Sequence, residues 1–258
     1  MVRSITFIVL FTLLLVGSGK LRGLVAPDYS MLVYGTLGSL AAYGLACWFM
    51  RREGKSLAVI GMAPDRWTGI RFGLGVLIGT VLFGMMVGAL VLLAGLELRR
   101  VDATLDASFW LAYLPILPLA LMEEIGFRSY AQVKLYEKHG IWVSQVVCAV
   151  LFGLYHVAGG WSFASAFWGP FVWAFIFGAG ALWSGGIGVS LGIHFIVNVL
   201  QLMMGMKGGV GRVWELVGGE GVDTYGIGMG IHVVLLLVGI SASVRTRAKT
   251  RRDSFITH

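Results

Sequence analysis

Phe109-Trp-Leu-Ala-Tyr-Leu-Pro-Ile-Leu-Pro-Leu-Ala-Leu-Met-Glu-Glu-Ile-Gly-Phe-Arg128 is the stretch on which the reading of this chain turns. Its length is the ~20 residues that a helix needs to cross the hydrocarbon of a bilayer, and Asp106 or Ser108 can cap its start. Two carboxylates and a guanidinium nevertheless lie within it. An ionised side chain at bilayer depth costs at least about 2.5 kcal/mol, so such groups are usually paired, turned toward a cavity and functional.

Outward from this segment the chain stays apolar. The 258 residues are 57% hydrophobic and 13% charged, against a charged share of roughly a quarter in soluble domains. Eight apolar runs can be marked, at about 4–18, 30–50, 70–96, 108–127, 141–158, 166–183, 186–204 and 226–244. They predict an all-α polytopic membrane bundle of about eight transmembrane helices. The first run also has features of a secretory signal peptide, with Arg3 before it and Gly17, Ser18 and Gly19 after it, but no A-x-A site follows and it is read as retained. Residues 1–104 supply N-terminal helices, 105–205 a central helical core, and 206–258 an outer loop, the last span and a basic tail.

The net charge of +7 does not indicate nucleic acid, because the basic residues flank apolar runs. Arg51, Arg52, Lys55 and Arg66 form one cluster, and Arg245, Arg247, Lys249, Arg251 and Arg252 another. With the N-terminus inside, thirteen basic residues fall on the inner side and six (Lys20, Arg22, Arg99, Arg100, Lys207, Arg212) on the outer. That bias predicts a multi-pass cell-membrane protein with both termini in the cytoplasm. Cys47 and Cys148 stand singly, without CxxC or Cys/His spacing, which argues against a disulfide or a cysteine zinc site. Glycine runs such as Gly178-Ala-Gly180 and Gly185-Gly-Ile-Gly188 read as close-packing and turn positions. The glycine-rich 206–230 stretch reads as a loop.

Pro115 and Pro118 each remove a backbone donor and predict a kink just before the glutamates. Glu124 and Arg128 are four residues apart on one face, where an ion pair would lower the cost of burying both. Glu123, about 100° round the helix, stays free. His156 ends Phe152-Gly-Leu-Tyr-His156, while His194 and Asn198 share a face of the seventh run. One such residue is explained by an interhelical hydrogen bond; six together are not. A carboxylate with an imidazole can take a proton from water, and an imidazole NH and an amide can stabilise a developing oxyanion. Glu123, His156 and His194 can instead hold a zinc ion with an open water position. The residues fit either chemistry. No HExxH or GxSxG is present, Ser129 has no spaced histidine partner, and His139, His232 and His258 read as solvated or interfacial.

The motifs Glu123-Glu124-Ile-Gly-Phe-Arg128 (EExxxR), Phe152-Gly-Leu-Tyr-His156 (FxxxH) and His194-Phe-Ile-Val-Asn198 (HxxxN), in this order on successive apolar runs, resemble the CPBP family. That family comprises the type II CAAX prenyl proteases and the bacterial Abi proteins, and the resemblance covers roughly residues 105–205. It implies an intramembrane endopeptidase acting on a peptide or membrane-protein substrate. By that resemblance Glu123 with His156 activates water, His194 with Asn198 binds the oxyanion, and Glu124 and Arg128 shape the site. Both metal-dependent and metal-free mechanisms are described for the family, so the zinc question stays open. The short chain looks more like the Abi branch. Readings from other classes are a non-catalytic peptide-binding or regulatory protein and a proton- or cation-coupled transporter, the latter disfavoured by the lack of matching halves.

One geometric demand follows. At 1.5 Å per residue, Glu124 lies about 24 Å from the outer start of its run and His156 about 22 Å from the inner start of the next, depths that a ~30 Å slab keeps apart. A hairpin from Arg128 to His139 extending beyond the membrane would bring them level, in the cytoplasmic half.

Overall fold

The computed structural model describes residues 1–19 and 23–256, with 247–256 as helix backbone alone. Lys20 and Arg22 of the outer count, the tail side chains of Arg247, Lys249, Arg251 and Arg252, and His258 lie outside the described residues. The order is α1 (Val2–Gly19), α2 (Pro27–Arg52), α3 (Thr68–Ala94), β1 (Leu96–Arg100), α4 (Ala107–Leu111), α5 (Ile116–Arg128) and α6 (Tyr130–Ala158). Then come α7 (Phe163–Ala166), a π turn (Phe167–Phe171), α8 (Val172–Ser184), α9 (Ile187–Met203), β2 (Trp214–Gly218) and α10 (Thr224–Ile256). Six described helical stretches are long and apolar enough to cross a membrane, and α9 is a shorter apolar helix. The protein is a polytopic helical bundle, as the composition predicts.

The helices are sorted by which face they bury. In α1, Phe7, Phe11 and Leu15 recur every four residues and are buried, whereas Val9, Leu13 and Val16 are exposed. Apolar side chains turned outward on this scale (Leu77, Leu92, Val234 and Leu237 among them) need lipid rather than water. Phe7 packs on Phe49 and Tyr130, and Phe11 on Phe127 and Tyr155, so α1 is built into the core. α3 and α9 approach through Gly75, Gly79 and Gly192, where an added Cβ would strike the opposing backbone or Ile196. This is the close-packing role expected of glycine in a membrane bundle.

The proline kink takes a different form. The chain breaks between α4 and α5, and Pro115 becomes the N-cap of a new helix with Pro118 in its first turn. The missing N–H groups fall where a helix start has no intrahelical partner for them. The expected protruding hairpin is also not formed. Ser129 ends α5, and α6 turns sharply at Gly140, whose φ of 78° and ψ of 179° suit only glycine. The 130–139 limb folds back along the rest of α6, with Tyr130, Ala131, Gln132 and Leu135 buried. Gln132 donates to Gln145 at 2.8 Å, Ser144 donates to the Gln132 carbonyl, and Gln145 donates to Phe175 O and Ser243 Oγ. The network turns polar groups of this hairpin inward and pairs them there, Gln132 Oε1 excepted among the described residues.

The two ends of the bundle differ. Glu53, after α2, accepts a 2.5 Å hydrogen bond from Tyr130 and pairs with Lys134 at 3.1 Å and Arg3 at 3.9 Å. At the opposite end β1 pairs antiparallel with β2, Leu96 facing Gly218, with Arg99 bonded to Glu215. The 206–230 stretch is therefore part strand, because residues 214–218 find the segment after α3 as partner.

Candidate active site

A cavity of about 530 Å³ lies among α1, α2, α5, α6, α8 and α9, within the range of ordinary ligand sites. Glu123, His156, His194 and Asn198 all line it, with Tyr34, Phe152, Tyr155, Trp161 and Phe177 among its aromatic walls. The break before α5 makes this meeting possible. Glu123 stands seven residues into α5, about 10 Å along it, while His156 is two residues from the end of α6 and Asn198 five from the end of α9. All approach from the end of the bundle opposite Glu53, so the depth conflict is removed by a shortened α5 rather than by a protruding hairpin.

His194 is the most constrained member. Its Nδ1 donates to Glu124 Oε1 at 2.8 Å, its Nε2 lies 3.6 Å from Glu123 Oε2, and its ring stacks on Phe177 at 4.5 Å. With a carboxylate before each ring nitrogen, both nitrogens act as donors once the ring carries its second proton. His156 is differently placed: Nδ1 donates to the Phe152 carbonyl at 2.9 Å. In the neutral ring this leaves Nε2 as an acceptor.

Glu124 and Arg128 are fully buried, but their charges touch only at 3.9 Å, too far for a hydrogen bond. The guanidinium instead lies over Phe152 at 4.1 Å and near Phe177 and Phe127, with no hydrogen-bond partner among the described residues. Glu124 is thus tied first to His194 and only second to Arg128.

Two contributors escaped the sequence reading. Tyr155, beside His156 in the chain, interacts with both Glu123 and Tyr34; its place next to the motif histidine was an available signal. Lys207 had none, since it lies in the loop after α9 and was counted as an outer charge. Its Nζ donates to Asn198 Oδ1 at 2.7 Å. Lys207 is exposed as a residue yet also lines the cavity, where burial pushes its pKa down and the charge of Glu123 pulls partly back. A lysine only donates, so the amide oxygen must face it, and the Asn198 NH2 group is left for the cavity.

The zinc alternative needs three of these donors around one point. Among the described residues no group of three His, Cys, Asp or Glu side chains is so arranged. His194 and His156 tie only Nδ1, to Glu124 and to a carbonyl, which leaves each Nε2 as a potential ligand, but no third donor joins them at one point among the described residues. In this arrangement the residues do not fit a metal ion, and no step is derived through one. His139 is exposed, and His232 bonds to the Gly228 carbonyl, away from the cavity.

Residues 105–200 match the family model described as Type II CAAX prenyl endopeptidase Rce1-like. The matched segment carries all three motifs. No curated protein matches the chain.

Proposed function

From the likeness of residues 105–200 to the type II CAAX prenyl endopeptidases, we propose that this chain is an intramembrane endopeptidase in which Glu123 and His156 activate a water molecule. The observation that carries the reading is the convergence of Glu123, His156, His194 and Asn198 on one cavity from three helices. A peptide carbonyl enters among them. Water gives one proton to the Glu123–His156 pair as its oxygen bonds to the carbonyl carbon. Negative charge gathers on the carbonyl oxygen, where His194 and the Asn198 amide donate to it. The held proton then passes to the peptide nitrogen, the C–N bond breaks, and a carboxylic acid and an amine leave. Tyr155 orients Glu123, Glu124 orients His194, and Lys207 holds Asn198 in the donating orientation.

The test is turnover of a peptide library by purified protein in detergent. Glu123→Gln and His156→Ala are each expected to lower kcat by about 10²–10⁴, the usual contribution of a general base, with thermal unfolding unchanged. Wild-type rates in either variant would remove the assignment.

A further inference from the structure

We infer that the reactive cavity opens on the non-cytoplasmic side of the membrane, so that its substrate is a peptide or polypeptide segment presented there rather than the cytoplasmic carboxyl terminus of a prenylated protein. The inference rests on the proposed protease reading for the word substrate, but its geometry is independent of catalysis. The lining residues that lie at or beyond helix ends are Gly19 at the end of α1, Met31 near the start of α2, Gly159 and Trp161 after α6, and Lys207 after α9, and they mark where the cavity opens. All belong to one end of the bundle, the end that also carries the β1–β2 ribbon. At the opposite end stand Arg3, Glu53 and Lys134 in mutual contact, together with the Arg71–Asp65 pair at the start of α3.

The basic residues sort by these same ends. Among the described residues nine Lys and Arg belong to the Glu53 end (Arg3, Arg51, Arg52, Lys55, Arg66, Arg71, Lys134, Lys138 and Arg245) and four to the cavity end (Arg99, Arg100, Lys207 and Arg212), with Arg128 buried between. Lysine and arginine in short loops are retained in the cytoplasm. The Glu53 end is therefore cytoplasmic, and the mouth faces away. Near the Glu53 end Gly61 meets Gly186 so closely that a Cβ on Gly61 would lie 2.9 Å from the Gly186 nitrogen. Tyr130 and its neighbours are buried beneath Glu53, closing the inner approach. A segment arriving from the cytoplasm would have to pass this packed layer, whereas one arriving from outside meets Glu123 about 10 Å below the start of α5.

The experiment is single-cysteine labelling with a membrane-impermeant maleimide in sealed, right-side-out bacterial vesicles. Cys47 and Cys148 are replaced by alanine, or the wild-type chain serves as the blank if that background fails to fold. Val16→Cys on the cavity wall and Gly209→Cys beside Lys207 are expected to label at least ten times faster in intact vesicles than Ala58→Cys at the other end. Ala58→Cys should label only after permeabilisation. The reverse pattern, or equal labelling of all three from one side, overturns the inference. In a second arm a membrane-impermeant peptide library is added to right-side-out and to inverted vesicles; cleavage confined to inverted vesicles also overturns it. Outside labelling of Val16→Cys with no cleavage in either preparation would leave the inference standing and remove the protease reading.

Discussion

Lys207 carries a charge into a cavity whose glutamate and histidine members lie on helices α5, α6 and α9, and it does so from a loop. Its ammonium fixes which end of the Asn198 amide faces the cavity, so under the proposed mechanism its effect should reach the reaction through Asn198. Lys207→Met is expected to lower kcat about tenfold with little change in KM, a fraction of the 10²–10³ that loss of a whole oxyanion donor costs. Lys207→Arg should restore most of it. In an Asn198→Ala background the Lys207→Met change should add nothing, because residues acting as one unit are non-additive. Burial holds the Lys207 pKa below the ordinary 10.5 despite the partial opposing pull of Glu123. The ammonium loses its proton as pH rises through that lowered value. Activity should therefore fall on an alkaline limb beginning below pH 10.5, and a pH–kcat profile of Lys207→Met should lack that limb.

At the scale of elements, the site depends on helix crossings that leave no room for side chains. α9 brings both His194 and Asn198, and it is held against α3 where a Cβ on Gly192 would meet the Phe72 carbonyl and lie 2.9 Å from the Val76 nitrogen. Gly192→Ala is expected to push the helices apart at a cost of about 1–3 kcal/mol, the usual penalty of overpacking. Thermal unfolding in detergent should move down, and turnover should fall with it because His194 shifts relative to Glu123. Gly88→Ala, with nothing within 4 Å of its Cβ, is the control expected to change neither. The motif spacing made the placement of these helices partly readable, since HxxxN on an apolar helix requires one shared face. The break at residues 112–115 was not readable as such. Two prolines signal either a kinked helix or a new start, and only packing against α2, where Ser39 donates to the Pro118 carbonyl, selects the second.

At the scale of the molecule, Glu53 joins three elements at one end through Arg3, Tyr130 and Lys134. Burial pushes its carboxyl up, but hydrogen bonds from Tyr130 and Lys134 and the charge of Lys134 prevail and hold its pKa below the ordinary 4.5. Its contribution to stability is present above pH 4.5 and is lost as pH falls through the lowered folded value. Thermal stability in detergent should therefore decline as pH falls below 4.5 toward the lowered folded value, and Glu53→Gln should flatten that part of the profile while lowering the plateau above it.

The sequence by itself determined that the chain is a membrane bundle and singled out polar residues, four of which the structure brings onto one cavity. Hydrocarbon forbids unpaired charge and rewards apolar length, so both constraints are written directly in residue order. The tertiary structure alone decided that Glu124 serves His194 before Arg128, that Lys207 and Tyr155 join the cavity, and that the site lies toward the end away from the basic residues. These depend on where separate helices begin, how closely glycines let them approach and which loop folds over their ends, and no local pattern of residues records such distances.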